Sequence, residues 1–463
     1  MSGPDVQRTI SPIDGSVCVQ RALADEGAVE SVLAAAQAAK PTWAGMPLER
    51  RAQLCTAMVE HLEGKAGELA HELTVQMGRP QRDSPGELRG LSERARHMIG
   101  AAPDALAALQ LESPSGGYRA IHHEPLGLVL TIAPWNYPYL TSVNTVVPAL
   151  LAGNVVVLKH SSQTPLCAER YYEACRAAGF PPGVFQFVHA DHAMINRMIG
   201  DARVDFVAFT GSVPGGHAVQ HAASDRFINL GLELGGKDPA YVREDAEVAR
   251  AAEALVDGAL YNAGQSCCGI ERIYVHRRLH DEFVEAFVAG ASSYVLGDPT
   301  DPQTTLGPMV RTAAADFVRG QTAAAVASGA RALVDHARFP HSRAGTAYLA
   351  PQVLAGVDHS MAVMRDESFG PVVGIMAVDD DAQAVELMND SEFGLTASIW
   401  TGDLDTARAL GGQLQTGTVF MNRCDYLDPA LAWTGVKDSG RGCTLSSLGF
   451  AYLTRPKSFN FSR

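Results

Sequence analysis

The sequence predicts an α/β protein with at least two sheet-based lobes, and three observations carry that prediction. From Leu126 onward, short apolar runs (LGLVLTIAP, NVVVLK, GVFQFV, DFVAFT) alternate with helix-like segments such as Ala168 to Ala178. Continuous runs rich in β-branched residues indicate strands buried on both faces, which implies a parallel sheet with crossover helices. After Gly235 a second series begins, with RIYVH, a helix around Asp281 to Ala289, GLTASIW and GTVFMN. Two amphipathic stretches precede both lobes. Asp25 to Lys40 is Ala-rich and starts with acidic residues, as a helix N-terminus prefers. Leu48 to Met77 repeats apolar residues at helical spacing (Leu54, Met58, Val59, Leu62) and stops at Gly78 and Pro80. No internal repeat or low-complexity linker interrupts the chain.

Composition narrows the function classes. The chain has 463 residues, and roughly 150 residues per domain suggests about three domains. Hydrophobic residues make up 46% and charged residues 19%, enough to bury a large core, so disorder is excluded. The 37 basic residues are scattered among 51 acidic ones, giving a net charge of −14 that disfavours nucleic-acid binding. MSGPDVQRTISPIDG lacks the apolar core of a signal peptide. The longest apolar run, Thr145 to Leu158, is broken by Pro148, Gly153 and Asn154 and falls short of the ~18 residues that span a bilayer. Eight dispersed cysteines form no disulfide framework, so reduced thiols in a cytoplasm are expected.

No strand is followed by G-x-G-x-x-G. GSVPGG, Gly211 to Gly216, has the glycine spacing of a phosphate loop, but His217 stands where the phosphate-binding Lys belongs. The segment does follow DFVAFT, so its glycines and Ser212 can either cap a helix against a pyrophosphate or form a plain strand-to-helix connection. In YNAGQSCCGIER, Cys267 follows a Gly-containing turn, and the small Gly264 and Ser266 leave its thiol approachable. Glu233, enclosed by Leu232, Leu234 and two glycines in GLELGGKDP, is either a paired structural acid or a base raised by burial. Asn136, in TIAPWNYP, is either a turn former or a donor to an oxyanion. Thiol, carboxylate and amide are the parts that covalent acyl transfer requires.

These segments resemble the aldehyde dehydrogenase superfamily, in the family's order through nearly the whole chain. The matches are PWN at Pro134 to Asn136, GNVVVLK ending at Lys159, FTGS at Phe209 to Ser212 and LELGGK at Leu232 to Lys237. GQSC at Gly264 to Cys267, ESFGPV at Glu367 to Val372 and GVKDSGRG at Gly435 to Gly442 complete them. The resemblance implies NAD(P)-dependent, hydrolytic, non-phosphorylating oxidation of an aldehyde to an acid. It implies a Rossmann-like cofactor domain (residues 1–106 and 126–235), an α/β catalytic domain (236–440) and a small β oligomerisation element (107–125 and 441–463) making a homodimer or homotetramer. Cys267 would be the nucleophile, with its backbone N–H and the Asn136 side chain as oxyanion hole and Glu233 as base for deacylation. Trp135, Lys159, Ser162, Gly211, Ser212, Gly216, Glu367 and Phe369 would bind the cofactor. Tyr137 and Trp433 would line the substrate pocket, or simply pack.

The chain also departs from the family pattern. NAD-using members often carry Glu three residues after the strand-ending Lys; Ser162 stands there and would tolerate the 2′-phosphate of NADP, although neutral drift is an alternative. Succinate-semialdehyde enzymes of the family place an Arg after PWN, where this chain has Asn144, which argues against a carboxylated substrate unless another Arg substitutes. Asp425 and Asp428, before Trp433, would suit a cationic aminoaldehyde or simply be solvated. WTGVK replaces the usual FGG-x-K. Cys268 is either a partner for a vicinal disulfide or a second small residue. Neither the paired His122 and His123 nor the other histidines form a helical metal pair with a carboxylate, so no catalytic metal is expected. Two rivals are a CoA-acylating semialdehyde dehydrogenase, disfavoured by retention of Glu233, and a non-catalytic binding or structural protein, disfavoured by retention of all three reactive residues.

Overall fold

The computed structural model describes residues 5–113 and 116–462; residues 1–4, 114–115 and 463, which fall within the expected domain ranges, lie outside the described residues. Helix α1 (Glu26–Ala44) starts where its capping residue dictates, with the Asp25 carboxylate accepting from the Ala28 N–H at 2.8 Å. The expected single stretch from Leu48 to Met77 is instead two helices, α2 (Leu48–Gly64) and α3 (Ala66–Met77), with a break at Lys65. Gly64 and Gly67 flank the break and weaken helix continuation there. Gly78 ends α3 in a left-handed conformation (φ +85°), as its position after the periodic run predicts. Helix α4 (Pro85–Ala105) follows.

The first sheet runs in the order Gly440–Arg441, Asn229–Glu233, Phe206–Thr210, Leu128–Ala133, Val155–His160, Phe185–Phe187. Its last five strands are parallel, and Gly440–Arg441 is antiparallel at the edge. Helices α5 (Pro138–Leu151), α6 (Leu166–Ala177), α7 (His192–Gly200) and α8 (Val213–Ala222) complete this lobe. Leu128, Leu130, Val155 and Val157 are fully buried, which is why these strands read as unbroken apolar runs. The chain winds outward from Leu128–Ala133 to Phe185–Phe187, then returns to pair Phe206–Thr210 on the other side of Leu128–Ala133. That reversal opens a crevice at the carboxyl ends of these two strands, where doubly wound sheets bind ligands. PWN and GSVPGG both begin there.

The second sheet has seven strands, ordered Arg331–Ala332, Gln352–Ala355, Val372–Val378, Ile270–His276, Asp238–Val242, Thr396–Trp400, Thr418–Met421. All but the first are parallel. The predicted strands RIYVH, GLTASIW and GTVFMN are all present in it. A separate antiparallel sheet joins Leu109–Gln110, Tyr118–Pro125 and the C-terminal Thr454–Phe461. Among the described residues, no helix is long and apolar enough to cross a membrane.

Candidate active site

The loop that presents Cys267 leaves regular structure through three consecutive left-handed residues, Asn262 (φ 53°), Ala263 (φ 58°) and Gly264 (φ 68°). Two of these are not glycines, so the conformation has to be held by its surroundings. Asn262 holds it: its Oδ1 accepts from Arg79 Nε at 3.2 Å, and its Nδ2 donates to the carbonyls of Asn136 (3.3 Å) and Gln265 (3.2 Å). Gln265 adds a 2.9 Å bond from its Nε2 to the Asn262 carbonyl and accepts from the Val310 N–H at 2.7 Å. The Asn136 side chain, 5% exposed, donates through Nδ2 to the Gln265 carbonyl at 3.2 Å. The PWN turn of one lobe and the cysteine loop of the other are therefore stitched together. Gly236 lies so close to this loop that a Cβ would stand 2.1 Å from the Cys267 carbonyl oxygen, which explains the second glycine of LGGK.

Arg79 is the hub of this stitching, and sequence reasoning missed it. It is fully enclosed, pairs with the equally buried Glu87, donates to the Asn136 carbonyl and covers the Tyr137 ring at 4.6 Å. Glu87 in turn accepts from the Tyr139 N–H at 2.7 Å and the Leu140 N–H at 3.3 Å, satisfying two of the unpaired donors that open α5.

Cys267 and Glu233 face one cavity of about 430 Å³, which Tyr137, Asn144, Trp433, Arg94 and Asp425 also line. The structure thus brings the predicted thiol, carboxylate and pocket aromatics to one place. Glu233 ends its strand half-buried, accepting from Thr444 Oγ1 at 2.6 Å and more weakly from Thr210 Oγ1 at 3.4 Å. Burial pushes its carboxyl above the usual range, although the two hydroxyls and Arg94 pull the other way. Thr444 is presented by a bridge to Trp433, so the aromatic wall and the hydroxyl on Glu233 are one unit. Asp425 lines the cavity with Oδ1 engaged by Ser266 Oγ and Cys268 Sγ, each at 3.0 Å. Asp428 instead caps a turn, accepting from the Ala430 N–H at 2.9 Å. Contact with Cys267, burial and Asp425 together hold the Cys268 thiol well above its ordinary range, so it stays protonated.

A second cavity, about 260 Å³, lies on the Gln265 side of the loop and is lined by Trp135, Glu367, Ser368 and Phe369. Trp135 and Phe369 meet edge to face at 5.6 Å. Phe369 takes a left-handed φ of 49°, and its N–H is held at 2.8 Å by Glu271, whose partner is the buried Lys237. Glu367 accepts from the Gly236 N–H at 2.9 Å, and burial next to Glu271 raises its carboxyl to about 7.

Of the predicted cofactor residues, Lys159, Gly211 and Ser212 lie at or just past the carboxyl ends of the two strands that flank Leu128–Ala133. Ser212 caps α8, accepting from the Gly215 N–H at 3.3 Å. A Cβ on Gly211 would stand 2.6 Å from the Phe209 ring, and one on Gly216 would stand 2.8 Å from Leu234, so side chains pack closely on both glycines. Lys159, half-buried, lies on the strand paired with Leu128–Ala133, and its amine has no protein partner among the described residues. Ser162 is exposed, and its carbonyl is pinned by Thr9 Oγ1 at 2.8 Å. A free amine, a capped helix start and a paired aromatic edge at one switch point fit a dinucleotide. Among the described residues, no group of three or more His, Cys, Asp or Glu side chains is arranged to hold a metal.

Comparisons with known proteins agree with this geometry. The aldehyde dehydrogenase family matches residues 2–459. Succinate semialdehyde dehydrogenase (NAD(P)+) Sad of Escherichia coli is 34% identical over 448 residues, 95% of each chain. The 3,6-anhydro-alpha-L-galactose dehydrogenase of Streptomyces coelicolor is 35% identical over 451 residues, 97% of this chain and 92% of that protein. Succinic semialdehyde dehydrogenase from Streptococcus pyogenes, solved with NADP+ as the cofactor, superposes with a TM-score of 0.93 at 28% identity, covering 99% of this chain and 100% of that one.

Proposed function

The chain belongs to the aldehyde dehydrogenase family and is an NAD(P)-dependent aldehyde dehydrogenase, and from that premise we propose how its own residues divide the chemistry. Cys267 is the nucleophile: its thiolate adds to the aldehyde carbonyl carbon. The Cys267 backbone N–H and the Asn136 side-chain amide hold the oxygen as it gains charge, an arrangement made rigid by Arg79 and Asn262. Bound NAD or NADP supplies the hydride acceptor. Loss of the aldehydic hydrogen leaves a thioester on Cys267. Glu233 takes a proton from water as that water attacks the thioester carbon, releasing the acid and regenerating the thiolate. The single observation carrying this reading is that Cys267 and Glu233, from different lobes, line one cavity.

Lys159, Ser162, the Gly211–Gly216 turn with Ser212, Glu367, Phe369 and Trp135 hold the cofactor. The exposed Ser162 leaves room for a 2′-phosphate, supporting use of NADP as well as NAD. The three-stranded sheet, with Leu109, Tyr118 and Phe461 exposed, serves as the oligomerisation element of a cytoplasmic homodimer or homotetramer. We assign the domains as the family resemblance implies, with boundaries near residues 106, 126, 235 and 440. The relatives' names disagree on substrate, so the aldehyde is not inherited from them. The test is reduced-cofactor formation by the parent and Cys267→Ala across aliphatic, aromatic and amino aldehydes, with each cofactor. Turnover in the parent alone supports the assignment; equal turnover by Cys267→Ala removes the thiol from the reaction.

A further inference from the structure

Among the cations lining the substrate cavity, Arg94 is the buried one that no carboxylate pairs with among the described residues; Arg89, also without a carboxylate partner, is exposed. Gly86, Gly90 and Arg94 recur at four-residue spacing on one face of α4, and all three line the cavity. A Cβ on Gly90 would stand 2.6 Å from Leu140 Cδ2, so Leu140 of α5 packs directly on this face of α4 one turn before Arg94. Arg94 is 9% exposed, yet among the described residues no carboxylate lies within salt-bridge distance of it. Only its Nη1 is engaged, donating to the Leu140 carbonyl at 2.9 Å and to Asn144 Oδ1 at 3.3 Å. Nε and Nη2 have no acceptor among the described residues. Asn144, 2% exposed, turns its oxygen to Arg94 and so presents its Nδ2 donors without a partner.

The carboxylates around the cavity are already committed. Glu87 pairs with Arg79, and Glu233 accepts from two threonines. Asp425 accepts from Ser266 and Cys268, Glu93 accepts from the Tyr426 hydroxyl, and Asp257 from the Tyr294 hydroxyl. A buried guanidinium without an acid is costly, and a planar fork with free donors matches a carboxylate. We propose that Arg94, assisted by Asn144, receives the distal carboxylate of the substrate, so that the favoured aldehydes are short ω-oxo carboxylates. This rests on the thiol chemistry proposed above. It also revises the expectation drawn from Asn144, because the arginine missing from α5 is supplied by α4. Arg94 and Cys267 line the same cavity of about 430 Å³, which keeps the reach between carboxylate and aldehyde short.

The experiment compares 4-oxobutanoate and 5-oxopentanoate with butanal and pentanal, and with 4-aminobutanal, in the parent, Arg94→Leu and Arg94→Lys, each with NAD and with NADP. The readout is kcat/KM, from the initial rate of cofactor reduction against aldehyde concentration. Parent enzyme is expected to favour the carboxylated aldehyde over its uncharged counterpart. Arg94→Leu should lower kcat/KM for the carboxylated substrates on the order of 10²-fold while changing the uncharged ones only about threefold; Arg94→Lys should recover part of the loss. Taking the ratio between substrates cancels any effect of Arg94 on Glu233. Equal losses for both classes would make Arg94 a structural tie between α4 and α5 and overturn the proposal. So would a parent that treats both classes alike or prefers the amine. If no aldehyde reduces the cofactor, the underlying thiol reading fails instead, which is a separate result.

Discussion

Glu87→Gln removes one charge from the buried Arg79–Glu87 pair while keeping the shape of the side chain. Both partners are inaccessible to water, so the remaining guanidinium has no solvent to compensate it. Breaking such a pair costs about 3–5 kcal/mol, a large share of the roughly 5–15 kcal/mol that stabilises a typical domain. The amide oxygen can still accept from the Tyr139 and Leu140 N–H groups, so the loss isolates the charge. Arg79→Met should cost a similar amount and should also slow the first turnover, because the Asn136 carbonyl and Asn262 lose their common donor. The double variant should be more stable than the two single losses predict, by about 2 kcal/mol, because no unpaired charge remains. Urea titration followed by tryptophan fluorescence measures all four corners of this cycle. Strict additivity, or a Glu87→Gln midpoint within about 0.5 kcal/mol of the parent, would refute the reasoning.

Asn136→Ala should lower turnover by on the order of 10²–10³ without loss of folded protein, as for other oxyanion donors; an unchanged single-turnover rate would remove it from the oxyanion hole. Burial raises the Glu233 carboxyl above the usual range, and only its ionised form is a base, so kcat should fall as pH drops through that raised value. Thr444→Val deletes a donor to the ionised carboxylate, raises Glu233 further and should move this acid limb to higher pH; an unmoved limb would detach Glu233 from the rate. Ser162→Glu places a carboxylate at an exposed position near Lys159. It should lower kcat/KM for NADP relative to NAD by roughly tenfold, and an unaltered ratio would remove Ser162 from cofactor choice.

The strands and their two-lobe grouping were legible because their signals are local, whereas the placement of Cys267, Glu233, Tyr137 and Trp433 was legible through the ordered motifs of the family resemblance. A buried parallel strand is an unbroken apolar run, and PWN and GSVPGG each follow one, whereas Cys267 precedes its strand and Trp433 lies outside the named strands. The supporting shell is not local. Arg79 reaches Asn262 across 183 positions and Thr444 reaches Glu233 across 211, and neither residue carries a periodic or motif signal of its own. The break at Lys65 was hidden because the apolar spacing continues through it in register, while two glycines interrupt the backbone. Arg94 was invisible for a related reason. On α4 it reads as one more charged helix residue, and only the packing of α4 against α5 turns it into the cavity. The left-handed turn at Asn262 and Ala263 likewise depends on distant donors rather than on the residues' own preferences.

The most direct test of the account mixes Glu233→Gln with aldehyde and NAD or NADP, following cofactor absorbance by stopped flow and the intact mass of the protein. The account predicts one burst of reduced cofactor per site, then little turnover, with a single acyl group on Cys267 that is absent from Cys267→Ala. Steady turnover by Glu233→Gln at the parent's rate, with no acylated protein, would contradict it.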